Sequence, residues 1–273
     1  MQDAAPAQHA VTLPTTSVSW RLIPLLNAPG QIQMAIDTWL LEQHNQGLHP
    51  PTLRFYTWSP VAISLGYHQR QIPDLWKQLN WRSHPIELLH RPTGGRAVLH
   101  QGDLTYAVVT SGLQGTRLQI YQYLCEFLIR GWQKLGVPLS YGSAGRGYIH
   151  NPNCFGTATG ADLVLGNGSK LIGSAQVYRK HTVLQHGSIR LTTDAELFFQ
   201  VFGERLSPLA GLPPFIESLF SPTPDAGLTP IITALIEAAT ECFEVELIPQ
   251  PLSQAEWRAV MQLADLSKQS KRV

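Results

Sequence analysis

The sequence predicts an α+β protein, mixed β-sheets with packed helices, on three observations. Strand patterns crowd the chain up to about residue 191 and helical patterns follow, a segregation typical of α+β folds. Residues 161–191 read as a three-strand meander whose first turn, Gly166-Asn167-Gly168, is a strong hairpin signal. The 273 residues are 44% hydrophobic and only 14% charged, enough apolar material for one substantial core and too little charge for a disordered chain.

Each element has a local reason. Residues 20–26 read as a first strand. Residues 31–46 read as a helix, because Ile32, Ala35, Ile36, Trp39 and Leu40 fall at helical spacing. Residues 53–58 and 61–65 are strands split at Ser59-Pro60, and 74–79 is a short helix. Residues 86–90 form a strand that enters a tight Gly94-Gly95 turn, with strands at 96–100 and 104–110 beyond it. The spacing predicts a helix over 119–135 with Leu118, Tyr121, Cys125, Leu128, Trp132 and Leu135 on one apolar stripe, stopped by Gly136 and Pro138. Strands are expected at 161–165, 170–178 and 183–191, then a helix at 194–202 capped by Asp194. A helix at 230–243, a short strand at 244–248 and a helix at 254–264 close the reading. The proline-rich stretch 208–224 marks a lobe boundary. In domain terms, residues 1–17 are a flexible tail, 18–265 a single domain and 266–273 a frayed end.

Composition narrows the function. A net charge of +1 points to neither nucleic acid nor an anionic membrane as partner. No apolar run is long enough to span a bilayer, and the first residues lack the basic start and apolar stretch of a signal peptide. Three cysteines, Cys125, Cys154 and Cys242, do not make a disulfide framework, so a reducing cytoplasm is expected. No C-x-x-C pair or H-E-x-x-H motif is present, and no metal site is expected.

The chemistry concentrates around Cys154. Residue type alone favours a packed, inert thiol. Its setting, Asn151-Pro152-Asn153-Cys154-Phe155-Gly156, is a polar loop, where a reactive thiol is expected. Cys125, on an apolar stripe, and Cys242, at a helix end, read as structural. Lys170 starts a strand. Strict alternation places it with Ile172, Ser174 and Gln176 on one face, and Leu171, Gly173, Ala175 and Val177 on the other. It is either a solvated strand-end lysine or a cation that favours the Cys154 thiolate and a developing oxyanion. Gly173 and Gly187, inside strands, mark either a tight sheet contact or room for a hydrocarbon tail. His186 is expected to be a hydrogen-bonded group and not a catalytic base. In Arg91-Pro92-Thr93-Gly94-Gly95-Arg96, the paired glycines let backbone N–H groups approach an anion or carbonyl. Arg91 and Arg96 flank them as a clamp for an anion or a phosphopantetheine arm.

Together these pieces resemble the biotin/lipoate ligase superfamily, and within it octanoyl-[acyl-carrier-protein]:protein N-octanoyltransferases of the lipoate-ligase-like type. The resemblance is carried, in order, by Thr52 to Trp58, Leu65-Gly66-Tyr67, Arg91 to His100, Leu104-Thr105-Tyr106, Asn153-Cys154-Phe155 and Gly168 through Ile189. It implies a biotin/lipoate-ligase-like fold, Cys154 as acyl-accepting nucleophile and Lys170 as its partner. It implies an octanoyl group passing from acyl carrier protein to a lysine of a lipoyl domain, such as that of the glycine-cleavage H protein. No cofactor is implied, because the donor thioester is already activated. Substrate contacts are expected at Arg91, Thr93, Gly94, Gly95, Arg96, His100, Gly173, Ser174, Gln176 and His186, with Gly173 and Ile172 setting tunnel depth. A monomer is expected. The rival readings are an ATP-dependent lipoate ligase, disfavoured by Cys154 and the lack of a clear extra C-terminal domain, an amidotransferase between lipoyl domains, a cysteine hydrolase and a non-catalytic acyl-binding module.

Overall fold

The computed structural model describes residues 19–142, 162–209, 212 and 224–269. The expected tail, most of the proline-rich stretch and the segment carrying Cys154 lie outside the described residues. The elements are β1 (Ser19–Ala28), α1 (Gly30–Asn45), β2 (Thr52–Trp58), β3 (Ala62–Leu65), a 3-10 turn (Asp74–Gln78), β4 (Asn80–Trp81), β5 (His84–Pro85), β6 (Glu87–His90), β7 (Val98–His100) and β8 (Asp103–Ser111). They continue with α2 (Arg117–Lys134), β9 (Ser140–Tyr141), β10 (Leu163–Val164), β11 (Lys170–Arg179), β12 (Thr182–Arg190), α3 (Ala195–Phe202), α4 (Pro224–Phe243), β13 (Glu246–Pro249) and α5 (Gln254–Gln269).

Eight strands make one mixed sheet in the order β13-β1-β2-β8-β12-β11-β10-β9, and β6-β3-β7 make a second, small sheet. β1 runs parallel to both neighbours, while β2 through β9 pair antiparallel. Helices α2 and α4 cover one face of the large sheet through Leu124, Phe127, Leu128 and Leu235 against Leu53, Phe55, Tyr106 and Ile189. Helices α1 and α5 cover the other, with Ile36, Trp39, Leu40 and Val260 against Tyr56, Ala107 and Val109. The small sheet packs its outer face on α3 through Ile63, Leu65, Leu99, Leu197 and Phe198. Its inner face turns toward the α1 side of the large sheet, and the space between them is the candidate site.

Local signals explain most element ends. Thr116 and Gln119 form a reciprocal capping box at the start of α2, and Gly136, at φ 76°, takes the left-handed conformation that follows its end. Asp194 caps α3 by accepting from the Leu197 N–H. Four expectations need correction. Leu118 lies in the first turn of α2 and is 58% exposed, so the apolar stripe begins one turn later, at Tyr121. Helix α4 starts at Pro224, not Pro230. A first-turn proline is pre-organised for a helix, and Pro230 inside forgoes one backbone bond. The strict alternation on β11 is broken. Leu163 pairs with Ile172 but Val164 pairs with Lys170, so β11 carries one extra residue. That bulge leaves Leu171 and Ile172 both in the core under α2 and moves Lys170 to the face of Gly173. Ile172 is therefore not a wall of the site. The last helix also runs on past Ala264 to Gln269.

Candidate active site

A narrow cavity of about 60 Å³ lies between the two sheets. The large sheet contributes Tyr56, Trp58, Thr105, Gly173, Ser174, Ala175, His186, Gly187 and Ser188. The small sheet and its loop contribute Ser64, Arg91, Gly95, Val98 and His100, and α1 adds Met34. Gly173, the residue expected to make room for a hydrocarbon chain, does line it.

Lys170 stands beside that wall. Its ammonium lies 2.8 Å from the Asp162 carboxylate, and both side chains are buried. A Cβ on Gly173 would stand 2.7 Å from the Lys170 Cε and 2.9 Å from its Nζ, so the bare glycine lets the lysine cross the strand. The bulge aims the lysine, Gly173 gives it passage and Asp162 holds its charge in place. Cys154 lies outside the described residues. Burial pushes the Cys125 thiol up to about 12 and the Cys242 thiol up to about 11, so both stay protonated near neutral pH.

Two buried polar arrays brace the cavity. In the first, His100 makes bonds of 2.8 Å with Asp103 through Nδ1 and with Ser64 Oγ through Nε2, and its ring stacks on Trp58 at 3.7 Å. Burial lowers its pKa against the opposing pull of Asp103, so the ring is neutral at pH 7. Nδ1–H then donates to Asp103 and Nε2 accepts from Ser64. Asp103 also accepts from Ser188 at 2.7 Å. In the second array, His186 meets Asp37 through Nδ1 at 2.8 Å and Thr93 Oγ1 through Nε2 at 2.7 Å. Asp37 accepts from the Tyr56 hydroxyl at 2.9 Å and faces Arg54, which donates to Gln33. Burial, then Asp37, raises the Tyr56 pKa, keeping its hydroxyl a donor.

The glycine loop is shaped from within. Arg91 is buried and donates to the Ser64, Gly94 and Arg96 carbonyls at 2.7–2.9 Å. These bonds wrap the loop around the guanidinium, whereas the sequence suggested an anion clamp. Gly95 has a φ of 96°. A Cβ on Gly66 would overlap the Gly95 carbonyl oxygen, so two bare backbones meet there. Arg96 is half-buried on the same loop. Ser174 lines the cavity and bonds Tyr106, while Gln176 bonds Gln185 at 2.8 Å and faces a neighbouring surface cleft.

Sequence reasoning missed Asp37, Asp103, Ser64, Trp58 and Asp162. A usable signal existed for Asp37. Gln33 and Asp37 are four residues apart on the buried face of α1, and polar groups there demand partners.

The family model of the lipoyl protein ligase A/B catalytic domain matches residues 29–209. Octanoyltransferase LipM of Kyrpidia tusciae is 37% identical over 194 residues, 67% of this chain and 70% of that protein. Octanoyltransferase LipM of Moorella thermoacetica is 34% identical over 256 residues, 87% of this chain and 91% of that protein. Among solved structures, a lipoate-protein ligase A bound with ATP superposes with a TM-score of 0.70 at 23% identity, covering 90% of this chain and 94% of that one. A bipartite lipoate protein ligase from Thermoplasma acidophilum gives 0.66 at 22%, covering 91% and 92%. At those identities the two structures speak to the fold, which is the lipoate-ligase-like one. With the matched span running from α1 through the whole cavity to the segment after α3, this chain belongs to the lipoyl protein ligase A/B catalytic-domain family.

Proposed function

We propose that this protein is an octanoyltransferase of lipoate biosynthesis. It moves an octanoyl group from acyl carrier protein to a lysine of a lipoyl domain through a thioester on Cys154. The observation that carries the proposal is Lys170, buried, paired with Asp162 and set against the bare Gly173 wall of a narrow cavity. The octanoyltransferases among its relatives support the same reading.

In the first half-reaction the Cys154 thiolate attacks the carbonyl carbon of the donor thioester. The Lys170 ammonium opposes the charge that develops on the carbonyl oxygen, and the carbon–sulfur bond to the carrier breaks. The carrier thiol leaves with the proton that Cys154 gave up. In the second half, the neutral amine of the acceptor lysine attacks the Cys154 thioester, an amide forms and the cysteine thiol is restored. Bond energy already stored in the donor thioester drives both steps, so no nucleotide enters. The acyl chain fits the cavity through apolar contact, about 0.8 kcal/mol for each buried methylene. Residues 18–265 act as one catalytic unit, working in the cytoplasm as a monomer.

Intact-mass measurement after mixing the protein with octanoyl-acyl carrier protein, without ATP, tests this. One octanoyl adduct is expected on the wild type and none on Cys154→Ala. Absence of the adduct, with lipoyl transfer appearing only on addition of lipoate and ATP, would replace the transferase reading with the ligase one.

A further inference from the structure

The surface beside the cavity carries a strongly one-signed charge. Four segments meet around a cleft of about 320 Å³ lined by Tyr67, His68, Arg117, Tyr178, Arg179 and the Gly94 loop. Those segments, residues 66–72, 91–96, 111–121 and 175–182, contain six of the chain's twenty lysines and arginines and none of its nineteen acids. Tyr67 is 59% exposed and Arg117 and Arg179 are exposed. The Arg117 guanidinium sits over the Tyr178 ring at 5.2 Å, which orients it without neutralising it. Arg91 of the same region is buried and donates to the Ser64, Gly94 and Arg96 carbonyls, whereas Arg117 and Arg179 reach the surface of the cleft.

We propose that this cleft is the docking surface for the acyl donor, an acidic carrier protein, and receives the phosphodiester of its pantetheine-type arm. This rests on the octanoyltransferase reading and names the surface that reading needs. Charge favours an acidic, phosphate-bearing partner, and the arginine forks beside tyrosine hydroxyls can donate to phosphate oxygens as well as to surface carboxylates. Position favours the donor over the acceptor. The cleft adjoins the cavity along β11, where Gln176 and Val177 of the cleft follow Gly173 to Ala175 of the cavity wall. Gly173, which Lys170 touches, and Arg179 are six residues apart on β11, about 20 Å at roughly 3.3 Å per residue. A thioester at the end of a long prosthetic arm crosses that span with its carrier docked at the cleft. An acceptor lysine has only its own short side chain and must bring its backbone close to the reacting carbon.

Binding measured without turnover tests this. Fluorescence anisotropy of labelled octanoyl-acyl carrier protein is titrated with the wild type, Arg117→Glu/Arg179→Glu, the milder Arg117→Ala/Arg179→Ala, and Arg130→Glu as a charge control near the other end of α2. We expect the glutamate pair to weaken binding at least tenfold, the alanine pair by less, and Arg130→Glu to leave it unchanged. Rising salt should weaken the wild type more steeply than the glutamate pair. Equal affinities for the wild type and the glutamate pair would overturn the proposal, as would equal weakening by Arg130→Glu. So would a glutamate pair that loses an isolated lipoyl domain but keeps the carrier. A wild type that does not bind the carrier overturns the docking surface alone. The transferase reading is then judged separately by the Cys154 adduct from octanoyl-N-acetylcysteamine, a thioester with neither carrier nor phosphate.

Discussion

The two faces of the eight-stranded sheet use alternate residues of the same strands and have opposite chemistry. On β2, Leu53 and Phe55 turn to α2 and α4, while Arg54 and Tyr56 turn to α1. On β8, Leu104, Tyr106 and Val108 oppose Asp103 and Thr105, and on β12, Val183 and Ile189 oppose His186 and Ser188. The first face is a packed apolar layer, where Gln185 is buried and bonds Tyr106 and the Cys125 thiol. The second buries Arg54, Asp37, His100, Asp103 and His186 and opens into the cavity. A period of two lets one strand serve both. The apolar face supplies cohesion, which tolerates changes of shape that conserve volume. The polar face supplies position, because buried charges hold only where their partners stand.

That contrast predicts different responses to mutation. The largest effect is kinetic. Lys170→Met, which keeps the stem and removes the charge, should slow Cys154 acylation by about 10²–10³, read as the rate of adduct formation by rapid-quench mass spectrometry. Acylation at the wild-type rate would remove Lys170 from the chemistry. Next comes stability. Arg54→Met removes the cation facing the buried Asp37, leaving it only Tyr56 and His186, and should cost about 3–5 kcal/mol, the penalty for breaking a buried pair. Leu124→Ala, on the opposite face, should cost about 2–5 kcal/mol as a cavity. Urea denaturation gives both values. Arg54→Met/Asp37→Asn should recover part of the first loss, because it removes the unpaired charge while an amide oxygen can still accept from Tyr56, whereas no polar replacement recovers the second. An Arg54→Met protein as stable as wild type would erase the distinction.

The smallest effect is a pH slope. Burial holds the His100 pKa below its ordinary 6.5, so between its folded value and 6.5 the unfolded chain binds more protons. Stability is fully present above about pH 6.5 and falls with acidification through that window, levelling once the pH is below the folded value. Thermal melts from pH 8 to 5 should show this slope in the wild type and a shallower one in His100→Asn. Identical slopes would assign the pH response elsewhere.

Much of this organisation was legible beforehand, for identifiable reasons. The Asp194 cap, the turn at Gly166-Asn167-Gly168 and the arrest at Gly136 are local events, set by residues within a turn of one another. The family motifs brought Lys170, Gly173, His100 and His186 into view. The side of the sheet that Lys170 occupies was not legible. It depends on one extra residue at the very start of β11, where no alternation precedes the bulge to reveal it. The partners Asp37, Asp103 and Asp162 were equally hidden, since each meets its histidine or lysine only through the tertiary fold. The hydrogen bonds of Arg91 to the Ser64, Gly94 and Arg96 carbonyls were hidden for the same reason. Whether an arginine beside paired glycines holds its own loop is not written in a string of letters.

The parallel pairing of β1 with β13, Ser19 opposite Glu246 through Leu22 opposite Pro249, has a consequence for how the molecule comes off the ribosome. Of the described strands, the first to emerge, β1, waits for β13. Until Glu246–Pro249 clears the exit tunnel, β1 has an open edge. Until α5 follows, Arg21 lacks Glu256, its partner at 2.6 Å, and the apolar surface of α1 lacks its cover. The cavity-forming strands β2, β8, β11 and β12 complete themselves earlier in synthesis. The order of translation therefore assembles the cavity-forming strands before β13 covers the edge of β1, and that edge stays open to edge-to-edge association until β13 arrives.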